Sequence, residues 1–375
     1  MKVAIIHYWL VTMRGGERVL ERICRLYPQA DIFTHVYDPT AMSPLLRSKN
    51  IKTTFIQQLP FATKLYQKYL PLMPMALEEL DLSDYDLVIS AEAGPAKGVI
   101  PRPDATHLCY CHSPMRYIWD QYHTYKSSAG LLTRLSMPLI AHGLRQWDVS
   151  TAARVDTFAA NSQFVAQRIR KYYRREATVV HPPVSVDLFA PATDLDSYFL
   201  WVGQLVPYKG CDIAIEAFNR LKLPLLIVGD GAQKARLKRM AGSTIRFAEN
   251  MSLDQLRNAY ARAQALIFTA KEDFGIVPLE AQASGRPVIA YGAGGALETV
   301  QNSETGLFFY EQTADSLVEA VERFVGWKPH FDPARAIANA QNFRPELFDE
   351  RFRALVESAM AQNGQRPDSI SALLT

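Results

Sequence analysis

Short apolar runs alternate with amphipathic stretches along this chain. Residues 3–8, 30–37, 51–56, 85–90, 106–111, 199–202, 224–228, 245–247, 265–270, 287–291 and 306–310 are rich in Val, Ile, Leu and Phe. Each is too short for a stable helix, and such continuous runs mark strands buried on both faces of a parallel sheet. Residues 314–325 and 345–360 carry helical spacing, and Gly or Pro punctuates the junctions. This alternation predicts an α/β fold of two doubly wound, Rossmann-like domains. Residues 1–190 form the first domain and 191–345 the second, with a polar linker at 185–196. Residues 346–375 supply a last helix returning to the first domain, then a frayed tail from Gln362.

The pattern is clearest at residues 265–300, which read as two consecutive strand, loop and helix units. The loop KEDFGI precedes a helix that Pro278 is suited to start and that Gly285 and Pro287 end. The loop Gly292-Ala293-Gly294-Gly295 precedes a second helix from Ala296. Each loop brings backbone N–H groups to a helix N-terminus, where the macrodipole attracts anions. Glu272 stands before the first loop and Glu280 in the first turn of its helix. Carboxylates accept hydrogen bonds from paired hydroxyls. Diphosphate at the amides and hydroxyls at the two glutamates together describe a nucleotide-sugar. A solvated loop charge and a carboxylate complementing the dipole are the simpler readings of each glutamate alone.

Composition narrows the setting. The chain has 375 residues, 48% hydrophobic and 21% charged, ordinary for a soluble globular protein with two cores. The net charge of +3 is unevenly placed: residues 1–190 hold 22 Lys and Arg against 16 Asp and Glu, while residues 191–375 hold 19 against 22. The first half therefore suits an anionic surface better than the second. Four cysteines make no disulfide framework, which points to a reducing cytoplasm. No run reaches the ~20 apolar residues of a spanning helix, since residues 131–144 are broken by Arg134, Ser136, Pro138 and His142. Membrane contact is expected to be peripheral. No aromatic stacking platform accompanies the cations, so nucleic acid is not an expected partner.

Other stretches carry candidate chemistry. Gly15-Gly16 opens a helix after the first strand, suited to phosphate or to a tight turn. His112 leaves a strand end, where α/β folds place ligand-contacting groups, although a helix cap would explain it too. His107, Cys109 and Cys111 share one strand face, as a metal site or as buried small residues. Residues 61–80 repeat Phe61, Leu65, Tyr69 and Leu72 beside Lys64 and Lys68, a half-buried helix or a lipid-facing one, with Pro71 and Pro74 interrupting. Residues 167–176 present Arg168, Arg170, Lys171, Arg174 and Arg175, read as a solvated charged helix or a contact for anionic headgroups. Lys209, in the loop Gly203-Gln204-Leu205-Val206-Pro207-Tyr208-Lys209, is placed to meet a diphosphate. Gly229-Asp230-Gly231 invites a dinucleotide reading that Lys234, at the third glycine position, opposes. Asp84/Asp86 and Asp194/Asp196 lack the context of a metal-diphosphate site, so metal independence is expected.

The segment from Glu272 to Glu280, the following Ala-Ser-Gly-Arg-Pro-Val-Ile-Ala and Gly294-Gly295 resemble the signature of retaining family-4 glycosyltransferases of GT-B fold. His7-Tyr-Trp-Leu10, Gly15-Gly16-Glu17, residues 112–122, 144–148 and 161–169 resemble most the bacterial mannosyltransferases that assemble surface polysaccharides. The resemblance implies two domains facing a cleft and a GDP-mannose donor. It also implies a saccharide or polyprenyl-diphosphate-linked saccharide acceptor, no cofactor, and work at the inner face of the plasma membrane. It places Glu272 and His112 beside the donor sugar, Glu280 on the ribose, and the amides of Phe274, Gly275, Ile276 and Val277 at the sugar and diphosphate. Gly15, Gly16, Gly203, Gln204 and Lys209 would complete the donor site. The family usually pairs the lysine with an arginine where this chain has Gln204. A UDP-sugar enzyme, a nucleotide-sugar 2-epimerase and a non-catalytic sugar-binding subunit are the alternatives.

Overall fold

Parallel strands form two sheets, one in each of the two units into which the computed structural model divides. The structure describes residues 1–364. The first unit comprises Met1–Pro182 with the chain from Phe348 onward; the second is Pro183–Leu347. The break after Pro182, rather than at 190, has a packing cause. Val184 and Val186 join Phe274, Leu279 and Phe343 in one apolar cluster, and the Val184 N–H donates to the Phe343 carbonyl at 2.9 Å.

In the first unit the strands are β1 (Val3–His7), β2 (Asp31–Thr34), β3 (Ile51–Thr53), β4 (Leu87–Glu92), β5 (Thr106–Cys111), β6 (Thr157–Ala160) and β7 (Thr178–Val179). Their order is β3-β2-β1-β4-β5-β6-β7, so the chain reverses direction across the sheet between β1 and β4. Every residue of β1, β4 and β5 is buried, as expected for strands covered on both faces. The final helix, Pro345–Gly364, places Phe348, Phe352 and Val356 in the core beside Leu108 and Tyr110. Arg22 binds Asp349 through two hydrogen bonds of 2.6 and 2.7 Å. Residues 362–364 are thus helical, and the rest of the expected tail lies outside the described residues.

The second unit holds β8 (Phe199–Val202), β9 (Leu225–Val228), β10 (Ile245–Ala248), β11 (Leu266–Phe268), β12 (Val288–Tyr291) and β13 (Gly306–Phe309), ordered β10-β9-β8-β11-β12-β13. Here the reversal falls between β8 and β11. Such a switch point opens a crevice at the carboxyl ends of the two strands.

Two surface expectations change. The stretch at 61–80 is not one helix: it divides into Ala62–Leu65, a 3-10 segment Tyr66–Leu72 that contains Pro71, and a helix Met73–Glu78 with Pro74 in its first turn. The basic helix Gln163–Tyr173 and the residues after it are not uniformly solvated. Arg168 is buried and pairs with Asp120, and Arg175 donates to the carbonyls of Ala152 and Val155, at 2.7 Å each. Their cations organise the fold.

Candidate active site

The switch point of the second unit collects most of the residues expected there. β8 leads through Gly203 and Gln204 to a 3-10 turn, Pro207–Lys209; β11 leads to the loop that carries Glu272. Lys209 Nζ and Glu272 Oε1 form an ion pair, with each side chain less than a fifth exposed. The backbone beneath the lysine is fixed by residues that no one-dimensional signal singled out. Thr269 Oγ1 donates to the Lys209 carbonyl at 2.7 Å and accepts from Trp201 Nε1 at 3.0 Å. Gln204 is exposed in the same loop.

The helix after the Glu272 loop is Ile276–Ala283. It starts two residues before Pro278, because Gly275, at φ 94°, turns the chain into it. No side chain caps this end, and the first N–H groups of a helix have no acceptor within it. The amides from Phe274 to Val277 therefore meet at a positive helix pole. Glu280 is the fifth helical residue, past the first turn. It accepts a hydrogen bond from the buried Tyr260 hydroxyl at 2.7 Å, which fixes the carboxylate's direction. A polar ladder anchors the same helix from behind: Asn339 donates to Gln282 Oε1 at 2.6 Å, and Gln282 to the Thr299 carbonyl at 2.7 Å.

The second glycine loop does not present a parallel anion site. The Gly292 N–H donates to Phe309, that of Ala293 to Tyr291 and that of Gly295 to the Glu272 carbonyl, at 2.8, 2.7 and 2.9 Å. The helix behind it, Ala296–Thr299, is a single turn. Its glycines serve packing: a methyl at Gly294 would stand 2.3 Å from the Glu272 carbonyl oxygen, and one at Gly295 2.2 Å from that of Phe274. The pair lets one loop rest against the other and hold Glu272. A cavity of about 410 Å³ lies beside the loop after β10, lined in part by Tyr198, Leu226, Ala248, Glu249 and Met251. Lys234 and Lys238 hold the Glu249 carboxyl well below the usual carboxylate range.

In the first unit, Gly15 opens the helix Gly15–Leu26 and His112 follows β5. The structure brings them together: a methyl at Gly16 would lie 2.6 Å from the Tyr8 hydroxyl oxygen and 3.8 Å from His112 Nε2. His112 is tied at both backbone ends. Its N–H donates to the Glu92 carbonyl at 2.7 Å, and its carbonyl accepts from Asn161 Nδ2 at 2.9 Å. Burial pushes the Tyr8 hydroxyl pKa up. Behind it, buried His7 and Glu17 approach to 3.6 Å. Burial opposes the charge on Glu17, but His7 and backbone amides outweigh it and the carboxyl titrates below its ordinary value.

The strand face at His107, Cys109 and Cys111 is committed to packing. His107 Nε2 meets Ser90 Oγ at 2.9 Å and Nδ1 the Arg154 carbonyl at 3.0 Å, while burial raises both thiols. Among the described residues, no group of three or more His, Cys, Asp or Glu side chains is arranged to hold a metal.

A fold of two doubly wound units, with a lysine, two carboxylates and an open helix pole at one switch point, defines the GT-B glycosyltransferase class. The chain belongs to that family: residues 13–188 match the model of Glycosyltransferase Family 4, and residues 190–342 that of Glycosyl transferases group 1. Among curated relatives, it is similar to the GDP-mannose-dependent monoacylated alpha-(1-6)-phosphatidylinositol monomannoside mannosyltransferase of Corynebacterium glutamicum. Identity is 32% over 256 residues, 58% of this chain and 66% of that protein. The GDP-mannose-dependent alpha-(1-6)-phosphatidylinositol monomannoside mannosyltransferase of Mycolicibacterium smegmatis is 30% identical over 234 residues, 54% of this chain and 59% of that one. The matched part thus spans less than two thirds of each relative. Among solved structures, Anabaena Alr3699/HepE in complex with UDP superposes with a TM-score of 0.70 at 16% identity, over 96% of this chain and 100% of that chain. Sucrose-phosphate synthase from Thermosynechococcus elongatus does so with 0.64 at 20% identity, over 100% of both. At these identities the structures speak for the fold.

Proposed function

We propose that the protein is a retaining, metal-independent hexosyltransferase that moves mannose from GDP-mannose to a saccharide or a lipid-linked saccharide in bacterial polysaccharide assembly, working peripherally at an anionic membrane. One observation carries this reading: Lys209 and Glu272 meet at the switch point, beside an uncapped helix pole and a glutamate oriented by Tyr260. The donor diphosphate would take Lys209 and the amides of 274–277, while Glu272 turns to the sugar hydroxyls. Glu280 would hold the ribose, and the cavity beside Glu249 offers a place for the base. GDP-mannose is favoured because both mannosyltransferases named above use it.

In the proposed step the bond from the anomeric carbon to the diphosphate oxygen breaks as the acceptor oxygen bonds to the same face of that carbon. The acceptor proton passes to the departing phosphate oxygen. Negative charge grows on that oxygen, where the helix pole and Lys209 stabilise it without a metal. His112 and Glu272 would orient the sugar. A thermal-shift panel of nucleotide-sugars tests the donor, since a ligand that binds the folded state raises its stability by mass action. The largest upward shift is expected with GDP-mannose; a larger one with a UDP-sugar would replace the donor. Conversion of the donor, without any acceptor, to the sugar inverted at C2 would identify an epimerase instead, and neither transfer nor hydrolysis with any donor a binding subunit.

A further inference from the structure

The 21-residue helix Leu131–Thr151 has two apolar faces that point in opposite directions. Ala141, Leu144 and Thr151 are buried along one side, with Asp148. Leu131, Leu132, Leu135 and Leu139 are 74, 85, 70 and 80% exposed. At 3.6 residues per turn, these four leucines fall within about 100° of arc, roughly opposite the buried side. Further along the same arc the exposed residues are His142 and Gln146, with Val149 at 42% exposure as the one apolar side chain. The outward apolar stripe is therefore confined to the first two to three turns.

Charge around the stripe has one sign. Residues 121–147 contain Lys126, Arg134 and Arg145 and no Asp or Glu. The segment packed against this helix repeats the pattern: Leu70 joins Ala141 and Leu144 in one cluster, and Trp147 Nε1 donates to Glu78 at 3.1 Å. Residues 61–77 hold Lys64 and Lys68 and leave Phe61 and Met75 73% and 50% exposed; of the acids that follow, Glu78 is held by Trp147 and Arg154. Clustered leucines flanked by cations match a layer with an apolar interior and an anionic face. No helix among the described residues is long and apolar enough to cross a membrane, so the stripe would lie in the headgroup boundary.

We infer that the N-terminal half of this helix, with Arg134 and Lys126 at its flank, docks the protein on an anionic lipid surface. The inference deepens the proposal of a lipid-linked acceptor and rests on it for the choice of partner. Binding and transfer are measured separately, so either can fail alone. The full chain should co-sediment with phosphatidylglycerol vesicles, bind phosphatidylcholine vesicles at least tenfold more weakly, and loosen as salt rises. Leu132→Ser with Leu139→Ser should weaken vesicle binding tenfold or more, and Arg134→Ser roughly fivefold, with the circular dichroism spectrum and donor hydrolysis unchanged. Equal binding to both lipids, or vesicle binding undiminished in the leucine variant, would overturn the assignment. So would a wild-type dimer that ignores vesicles and dissociates in that variant, which would give the stripe to a second copy of the chain.

Discussion

The first unit buries charge in its interior, whereas the second keeps charge at a rim. His35, His107, Glu17, Glu92, Lys97 and Asp148 are all buried in the first unit; in the second, Asp273 and Arg286 are the buried acidic and basic side chains among the described residues. The centre of the first unit's network is Lys97, which binds Glu92 at 3.0 Å and also pairs with Asp148. Tyr173 and Trp119 donate to the same Asp148, at 3.0 and 2.7 Å. Burial raises the Glu92 carboxyl pKa. Burial also opposes the Lys97 ammonium, but Asp148 and Glu92 outweigh it, so the lysine titrates above its ordinary value. The second unit builds its site from backbone amides, one lysine and two glutamates on loops supported by apolar packing. The same topology thus serves two ends. One unit draws rigidity from satisfied buried charge; the other leaves its charges partly exposed, as the proposed exchange for a ligand requires.

Removing Lys97 should produce the largest effect. Lys97→Met leaves two buried carboxylates without their cation and should cost about 3–5 kcal/mol. Hydrogen exchange should show the loss in β4 and β5, with the second unit's strands unaffected; uniform loss across both would break the contrast. Glu272→Ala should lower sugar transfer a hundredfold or more, ~2.7 kcal/mol of barrier, if the carboxylate positions the donor. Stability should fall less than in Lys97→Met, because the Lys209–Glu272 pair is partly exposed whereas Lys97 and its partners are fully buried, and steady-state kinetics with a melting curve separates the two.

The acid response should divide the units next. Burial lowers the His35 and His107 pKa to about 4, against an ordinary 6.5. Between these values the unfolded chain binds more protons than the folded one, so stability rises with pH and is lost as pH falls from about 6.5 toward 4. One such histidine should cost roughly 2 kcal/mol at pH 5. The raised Glu92 carboxyl works in the opposite sense, gaining stability as pH falls, but two histidines outweigh one carboxyl, so exchange at pH 5 against pH 7 should show the first unit loosened more. The second unit's one histidine, His330, is exposed, and an equal response there would contradict the comparison. The smallest effect is expected at Gln204. Gln204→Arg should tighten GDP binding about fivefold by adding a charge-assisted hydrogen bond, and calorimetry showing weaker binding would remove the reading of an incomplete cationic clamp.

Several elements were legible from residue order because their cause is local. β5 and β8 fall on the expected residues, nine other strands differ from the expected runs by a few residues at their ends, and β6 and β7 lie where no strand was expected. A continuous apolar run too short for a helix satisfies its backbone by strand pairing, and hides its side chains when both faces of the sheet are covered. Glu272 and Lys209 stood out because the loops that carry them have recognisable turn chemistry, and Glu280 because it follows the first of these loops into its helix. Tyr260, Thr269 and Trp201 did not, since each acts on a partner distant in the chain. The same holds for Arg168, whose basic neighbours suggest solvent until Asp120 is seen beside it.

Residue order alone therefore determined two parallel α/β units, their approximate span and the kinds of group at the second unit's strand ends. Only the tertiary structure decided which glycine-bearing loop leads into an uncapped helix and which is spent on holding its neighbour. The same is true of the cations that are structural, and of the second, outward face of the Leu131–Thr151 helix. The physical reason is that local sequence sets backbone preference, whereas a polar group's function depends on which partner the folded chain brings within hydrogen-bonding reach.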